Sequence, residues 1–88
     1  MSEISAFDNL KESLEKQILT VLDFLLTDNQ ITDDDVINIS KDVLNSLDLS
    51  QTRHELHGYL YRLLTKYPPL SPHLENTLKF LNESSHGN

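Results

Sequence analysis

The chain contains no cysteine and no tryptophan, only two glycines and three prolines, and seven Lys and Arg against fourteen Asp and Glu. Without cysteine there is no disulfide framework, no thiolate metal site and no thiol nucleophile. With glycine only at positions 58 and 87 there is no glycine-rich loop to cradle a phosphate or to build an oxyanion hole. A formal net charge of −7 argues against nucleic acid, whose phosphates require clustered Lys and Arg. It favours a basic protein partner or simply keeps the chain in solution. Long apolar runs are missing too. The longest, Ile18 to Leu26, is interrupted by Thr20 and Asp23, and a membrane-spanning helix needs about 20 apolar residues. The start, Met1 to Lys11, has acids and no basic cluster ahead of an apolar run, so it does not read as a signal peptide. The expectation is a soluble, cytoplasmic protein with no membrane span.

What is present is leucine. Leu, Ile, Val and Phe make up 28 of the 88 residues, about a third, enough for a modest core in one small domain. They recur at three- and four-residue steps, the helical period. Phe7, Leu10, Leu14, Ile18, Val21, Leu22 and Leu25 predict a helix over 3–27. Leu19 and Leu26 widen its apolar face at the end, the pattern of a helix end buried among several neighbours. Asp28-Asn29-Gln30 breaks the pattern. Thr32 followed by Asp33, Asp34 and Asp35 is a helix start with a capping hydroxyl and first-turn acids. It opens a helix over 33–47 with Val36, Ile39, Val43 and Leu47 on one face. Asp48 or Ser50 is the expected cap of a third helix, 50–67, carrying Leu56, Tyr59, Leu60, Leu63, Leu64 and Tyr67. Pro68-Pro69 ends it. Ser71-Pro72 reads as a capping hydroxyl and a first-turn proline for a helix over 72–83, with Leu74, Leu78 and Leu81 on its face and a frayed tail, 84–88. No stretch alternates with the two-residue period of a strand. Short links imply antiparallel neighbours, so the fold class is all-α, an antiparallel up-down four-helix bundle in one domain, 1–88.

Few constellations carry chemistry. His54 and His57 share a face of the third helix, but the Glu-x-x-His pairs of two-metal bundle sites are absent: position 51 is Gln and position 54 is His. A calcium loop beginning at Asp28 would need Gly at its sixth position and Glu at its twelfth; the chain has Asp33 and Ile39 there. No Ser–His–acid arrangement is forced by spacing. A bundle this small also leaves little room for the usual ligand pocket of about 300 Å³ or more. The reading is a non-enzyme with no cofactor and no metal.

Charge is distributed unevenly. Residues 1–50 carry net −8 and residues 51–88 net +1, with all four histidines in the second half. The halves attract each other within the bundle, or they present two surfaces to different partners. Behind the leucine face of the third helix lie His54, His57, Gly58 and Tyr61, with Arg62 and Lys66 flanking. Glycine inside a helix costs up to about 1 kcal/mol against alanine, so Gly58 marks a close approach or is incidental. An exposed Tyr61 beside Arg62 has the composition of an interface hot spot; the alternative is that Tyr61 lies along a neighbouring helix. Phe80, off the last leucine stripe, is either exposed or covered by the tail.

Between Ile18 and Leu81 the chain resembles the immunity proteins of pediocin-like bacteriocins, the enterocin A immunity type. The likeness lies in the leucine-rich TVLDFLLTDNQI, the acid-led TDDDVINISKDVL, the long TRHELHGYLYRLLTKY and the proline break PPLSPHL before a short last helix. The resemblance implies a cytoplasmic antiparallel bundle that protects a producing bacterium against its own peptide toxin. It implies a protein partner, the toxin-bound membrane sugar transporter, with the last helix and tail selecting the toxin. By region this points to Leu74, Lys79, Phe80 and His86; the residue reading adds His54, His57, Tyr61 and Arg62. Two other classes stand beside it. One is a regulatory or assembly module that dimerises through Leu19, Leu22 and Leu26, so that monomer and homodimer are both open. The other is an acidic inhibitor presenting Asp28, Asp33, Asp34, Asp35 and Asp42 to a basic surface.

Overall fold

The computed structural model describes residues 6–85, with side chains as far as residue 82. The described residues form four α-helices and one 3₁₀ turn, with no strand. Helix α1 spans Ala6–Thr27 and buries Leu14, Ile18, Leu22 and Leu25, the stripe that the spacing predicts. Its expected wide apolar end is not enclosed: Leu19 and Phe24 are exposed and Leu26 is half-buried. The helix stops where Asn29 turns left-handed, φ 63°. The Gln30 amide donates to the Leu25 carbonyl at 2.9 Å and the Asn29 amide to Leu26 at 3.1 Å, which is the paired closure of a Schellman motif. Asn tolerates that conformation because its side chain is short and polar.

Helix α2 spans Asp33–Leu49 and buries Ile39, Val43 and Leu47. Its capping box forms as expected: Asp35 N donates to Thr32 Oγ1 and Thr32 N to Asp35 Oδ2, each at 3.1 Å. The helix runs two residues past the expected end at 47. Ser50 therefore closes α2, its hydroxyl donating back to the Ser46 carbonyl at 2.8 Å, and neither it nor Asp48 caps the next helix. That role falls to Thr52, whose Oγ1 accepts from Glu55 N at 3.1 Å, while Glu55 Oε1 accepts from Gln51 N at 2.6 Å. Thr-x-x-Glu at 52–55 is the stronger start signal. Helix α3 accordingly spans Arg53–Lys66 and not 50–67.

The chain then turns through a 3₁₀ segment, Pro68–Leu70, whose Leu70 is buried completely. It leads without a break into α4, Ser71–Ser85. Ser71 is already helical, φ −57° and ψ −48°, and its amide donates to the Pro68 carbonyl. It is thus not an N-cap in extended geometry, because the preceding turn supplies the helix entry. Helix α4 continues two residues beyond the expected end at 83; the remainder of the expected tail, 86–88, lies outside the described residues.

Side-chain contacts set the helix directions. Lys11 Nζ, early in α1, donates to the Ser50 carbonyl at the end of α2 at 3.2 Å. Arg53, first in α3, lies over Phe80 late in α4. Phe24 meets His73, and Gln17 meets Thr77, so α1 and α4 run past each other in opposite senses. Asp42 and Ser46 of α2 flank Tyr59 of α3. These are pairings of antiparallel neighbours. The backbones approach most closely within two hairpins, α1 with α2 and α3 with α4. The core joins the hairpins through Leu14, Ile18, Leu22, Ile39, Leu60 and Leu81, all essentially inaccessible. Each such side chain contributes roughly 1.5–3 kcal/mol by leaving water. Two seams remain between the hairpins, α1/α4 and α2/α3.

Candidate functional site

The two seams differ in how their polar groups are used. Along α1/α4, the Thr77 hydroxyl donates to Gln17 Oε1 at 2.9 Å. Phe24 packs edge-on to His73 with centroids 5.3 Å apart. At the far end the Arg53 guanidinium covers the Phe80 ring at 5.1 Å, a cation–π contact. A hollow of about 250 Å³ survives there, with Leu10, Gln17, Thr77 and Phe80 in its wall.

Along α2/α3 lies a larger hollow of about 600 Å³, walled by Ser46 and Leu49 from α2 and by His54, Gly58, Tyr61 and Arg62 from α3. A smaller one of about 190 Å³ adjoins it, sharing Ser46, Tyr59 and Arg62 and reaching Asp42 and Lys66. The expectation that so small a bundle has no room for a hollow above about 300 Å³ is therefore overturned. The reason is the two-hairpin packing, which leaves α2 and α3 apart along their outer edges. The rim exposes Leu49 by 67% and Tyr61 by 58%.

Tyr59 forms part of the floor. Its side chain is 6% exposed, and its hydroxyl is buried with no hydrogen-bond partner among the described residues. Asp42 and Ser46 lie beside it without the geometry of a bond. Burial pushes the hydroxyl well above the usual tyrosine range, and the Asp42 carboxylate adds to the shift. It therefore remains a protonated donor at every physiological pH. A buried polar group left unpaired costs about 1–3 kcal/mol, and such groups are rare in native folds. Gly58 opens onto the same hollow. A Cβ placed there would meet nothing within 4 Å, so no close approach within the chain explains the glycine.

The expected contact residues divide among several places. His54, Tyr61 and Arg62 come together on the α2/α3 groove. His57 is half-buried on α3 and does not line it. Phe80, 48% exposed, belongs to the α1/α4 seam beneath Arg53. Lys79 is exposed on α4 and lines neither hollow. Leu74 is a correction: it is 1% exposed and packs in the core, so it presents nothing to a partner. His86 lies outside the described residues. Tyr61 does not lie along a neighbouring helix but stands exposed. Leu22, expected at a dimer seam, is buried within the single chain.

Sequence reading placed Tyr59 among the core leucines and overlooked its hydroxyl. The available signal was that a tyrosine on a leucine face must find a partner for its O–H. Among the described residues no three His, Asp or Glu side chains gather at metal-holding distance, and no helix is long and apolar enough to cross a membrane. No family model, curated protein or solved structure matches the chain.

Proposed function

We propose that this chain is a non-enzymatic binding protein whose working face is the α2/α3 groove, and that it serves as a cytoplasmic immunity protein guarding a bacterial producer cell against a peptide bacteriocin. The observation that carries the face is the clustering of exposed Leu49, Tyr61 and Arg62 around an open hollow. Tyr and Arg are the residue types that dominate binding energy at interfaces. The resemblance read from the sequence supplies the biological role and its partner, a toxin-bound membrane transporter. Expression of the chain in bacteria sensitive to pediocin-like peptides tests it. Protection against one or two peptides of a panel, lost with Tyr61→Ala and Arg62→Ala, is the expected result. Killing by every peptide regardless of expression removes the immunity role.

A second reading has its own observation. Leu19 on α1 and Ile37 and Leu44 on α2 are exposed apolar side chains outside the groove, a supply of surface for a homodimeric assembly module. A melting temperature that rises with protein concentration favours that reading.

A further inference from the structure

Three features of the α2/α3 groove are unexplained by the fold of the single chain. The Tyr59 hydroxyl is a buried donor with no acceptor. The Arg62 guanidinium has no carboxylate partner among the described residues, although the chain carries twice as many acids as bases. Gly58 sits in mid-helix, where it weakens α3, with open space where its side chain would be. All three face one hollow, between the apolar rim residues Leu49 and Tyr61.

We propose that the groove seats an amphipathic helix of a partner protein, which sets an apolar side chain into the notch over Gly58 and a Glu or Asp carboxylate against Tyr59 Oη and Arg62. This deepens the binding role given to the groove above and does not depend on the immunity role. The shape fits a helix. On α3 the wall runs from His54 to Lys66, about 19 Å at 1.5 Å per residue, or three to four helical turns. The hollow is open along this length, the form of a helix-in-groove site and not of an enclosed small-molecule pocket. Charge selects the carboxylate. Arg62 and Lys66 lie on the α3 side, and Glu55 is held on the Gln51 amide. Asp42 is the remaining acid at the floor, and it disfavours a carboxylate on its own side, so the partner's acid belongs toward Arg62. A protonated Tyr59 and a guanidinium are both donors, and a carboxylate is the acceptor that both lack.

The test uses a displayed library of single-helix peptides of about 16 residues with one randomised face, selected on the full chain. Enriched peptides should pair a Leu or Phe with an acid three or four positions away. In fluorescence anisotropy with one such peptide, Arg62→Ala should weaken binding about tenfold or more and Tyr59→Phe about fivefold. Gly58→Leu should abolish binding by filling the notch, and Asp42→Asn should tighten it. Circular dichroism melts establish that each variant is folded, and Gly58→Ala, a smaller change that leaves the fold intact, should weaken binding by an intermediate factor. The proposal is overturned if no peptide is enriched or if enriched peptides ignore Gly58→Leu and Arg62→Ala. It is also overturned if basic peptides are selected, or if the groove variants instead abolish self-association in sedimentation equilibrium. A chain that binds these peptides but protects no cell loses the immunity role and keeps this inference; a chain that protects without binding them does the reverse.

Discussion

The two seams join the same pair of hairpins, yet they end differently. At α1/α4 the chain closes its own surface: Thr77 meets Gln17, His73 meets Phe24, and Arg53 covers Phe80. At α2/α3 the corresponding donors, Tyr59 and Arg62, have nothing to bond, and a glycine leaves the wall hollow. The polar inventories are alike, so composition does not explain the contrast. Placement does. On the first seam each donor or cation faces an acceptor or ring across the gap. On the second, the hydroxyl points into a space that the chain does not fill. A free surface thus carries its information in what its polar groups lack.

The largest expected effect is one that both seams share. Leu22→Ala removes a fully buried core side chain and should cost about 3 kcal/mol in urea unfolding. It should loosen both seams together; a loss confined to one would mean that the hairpins fold independently. Alkaline pH should then separate the seams. The Tyr59 hydroxyl is raised in the folded chain by burial and by Asp42, with a smaller contribution from Tyr67. Stability is therefore at its full value below the unfolded-state value of about 10. It falls as pH rises above that, by up to about 1.4 kcal/mol per pH unit, because the unfolded chain releases the proton first. Tyr59→Phe should flatten that part of the stability–pH curve between pH 10 and 11.5, roughly one unit either side of the free-tyrosine range. Equal slopes for the two proteins would place the hydroxyl in water.

Two smaller effects sharpen the contrast. Gly58→Ala should raise stability by up to about 1 kcal/mol, since the added methyl meets no atom of the chain; a decrease would reveal a contact on the open seam. Thr77→Val should lower stability by about 0.5 kcal/mol, because it breaks a bond that is partly open to water. No change there would mean that the closed seam is held by its rings alone.

Much of this was legible in the residues, because helices depend on neighbours three and four apart. The Leu14–Ile18–Leu22–Leu25 stripe, the break at Asn29 and the Thr32–Asp35 box are all local. The cap of α3 was equally local and was misplaced, because Ser50 and Thr52 are both capping residues and only the length of α2 decides between them. Leu74 was misassigned when regional resemblance outweighed the Leu74–Leu78–Leu81 spacing, which already marked it as core. The unpaired hydroxyl of Tyr59 was not legible. It depends on where α2 sets Asp42 and Ser46, and that follows from the packing of two hairpins and not from any spacing along the chain.

The contrast between the seams rests most directly on Tyr59, and the unfolding free energy of Tyr59→Phe at pH 7 measures it without any partner. With the hydroxyl unsatisfied inside the fold, its removal should leave stability unchanged or raise it by about 1 kcal/mol. A loss of about 1 kcal/mol or more would mean that the chain already satisfies this group and that the α2/α3 seam is as closed as the other.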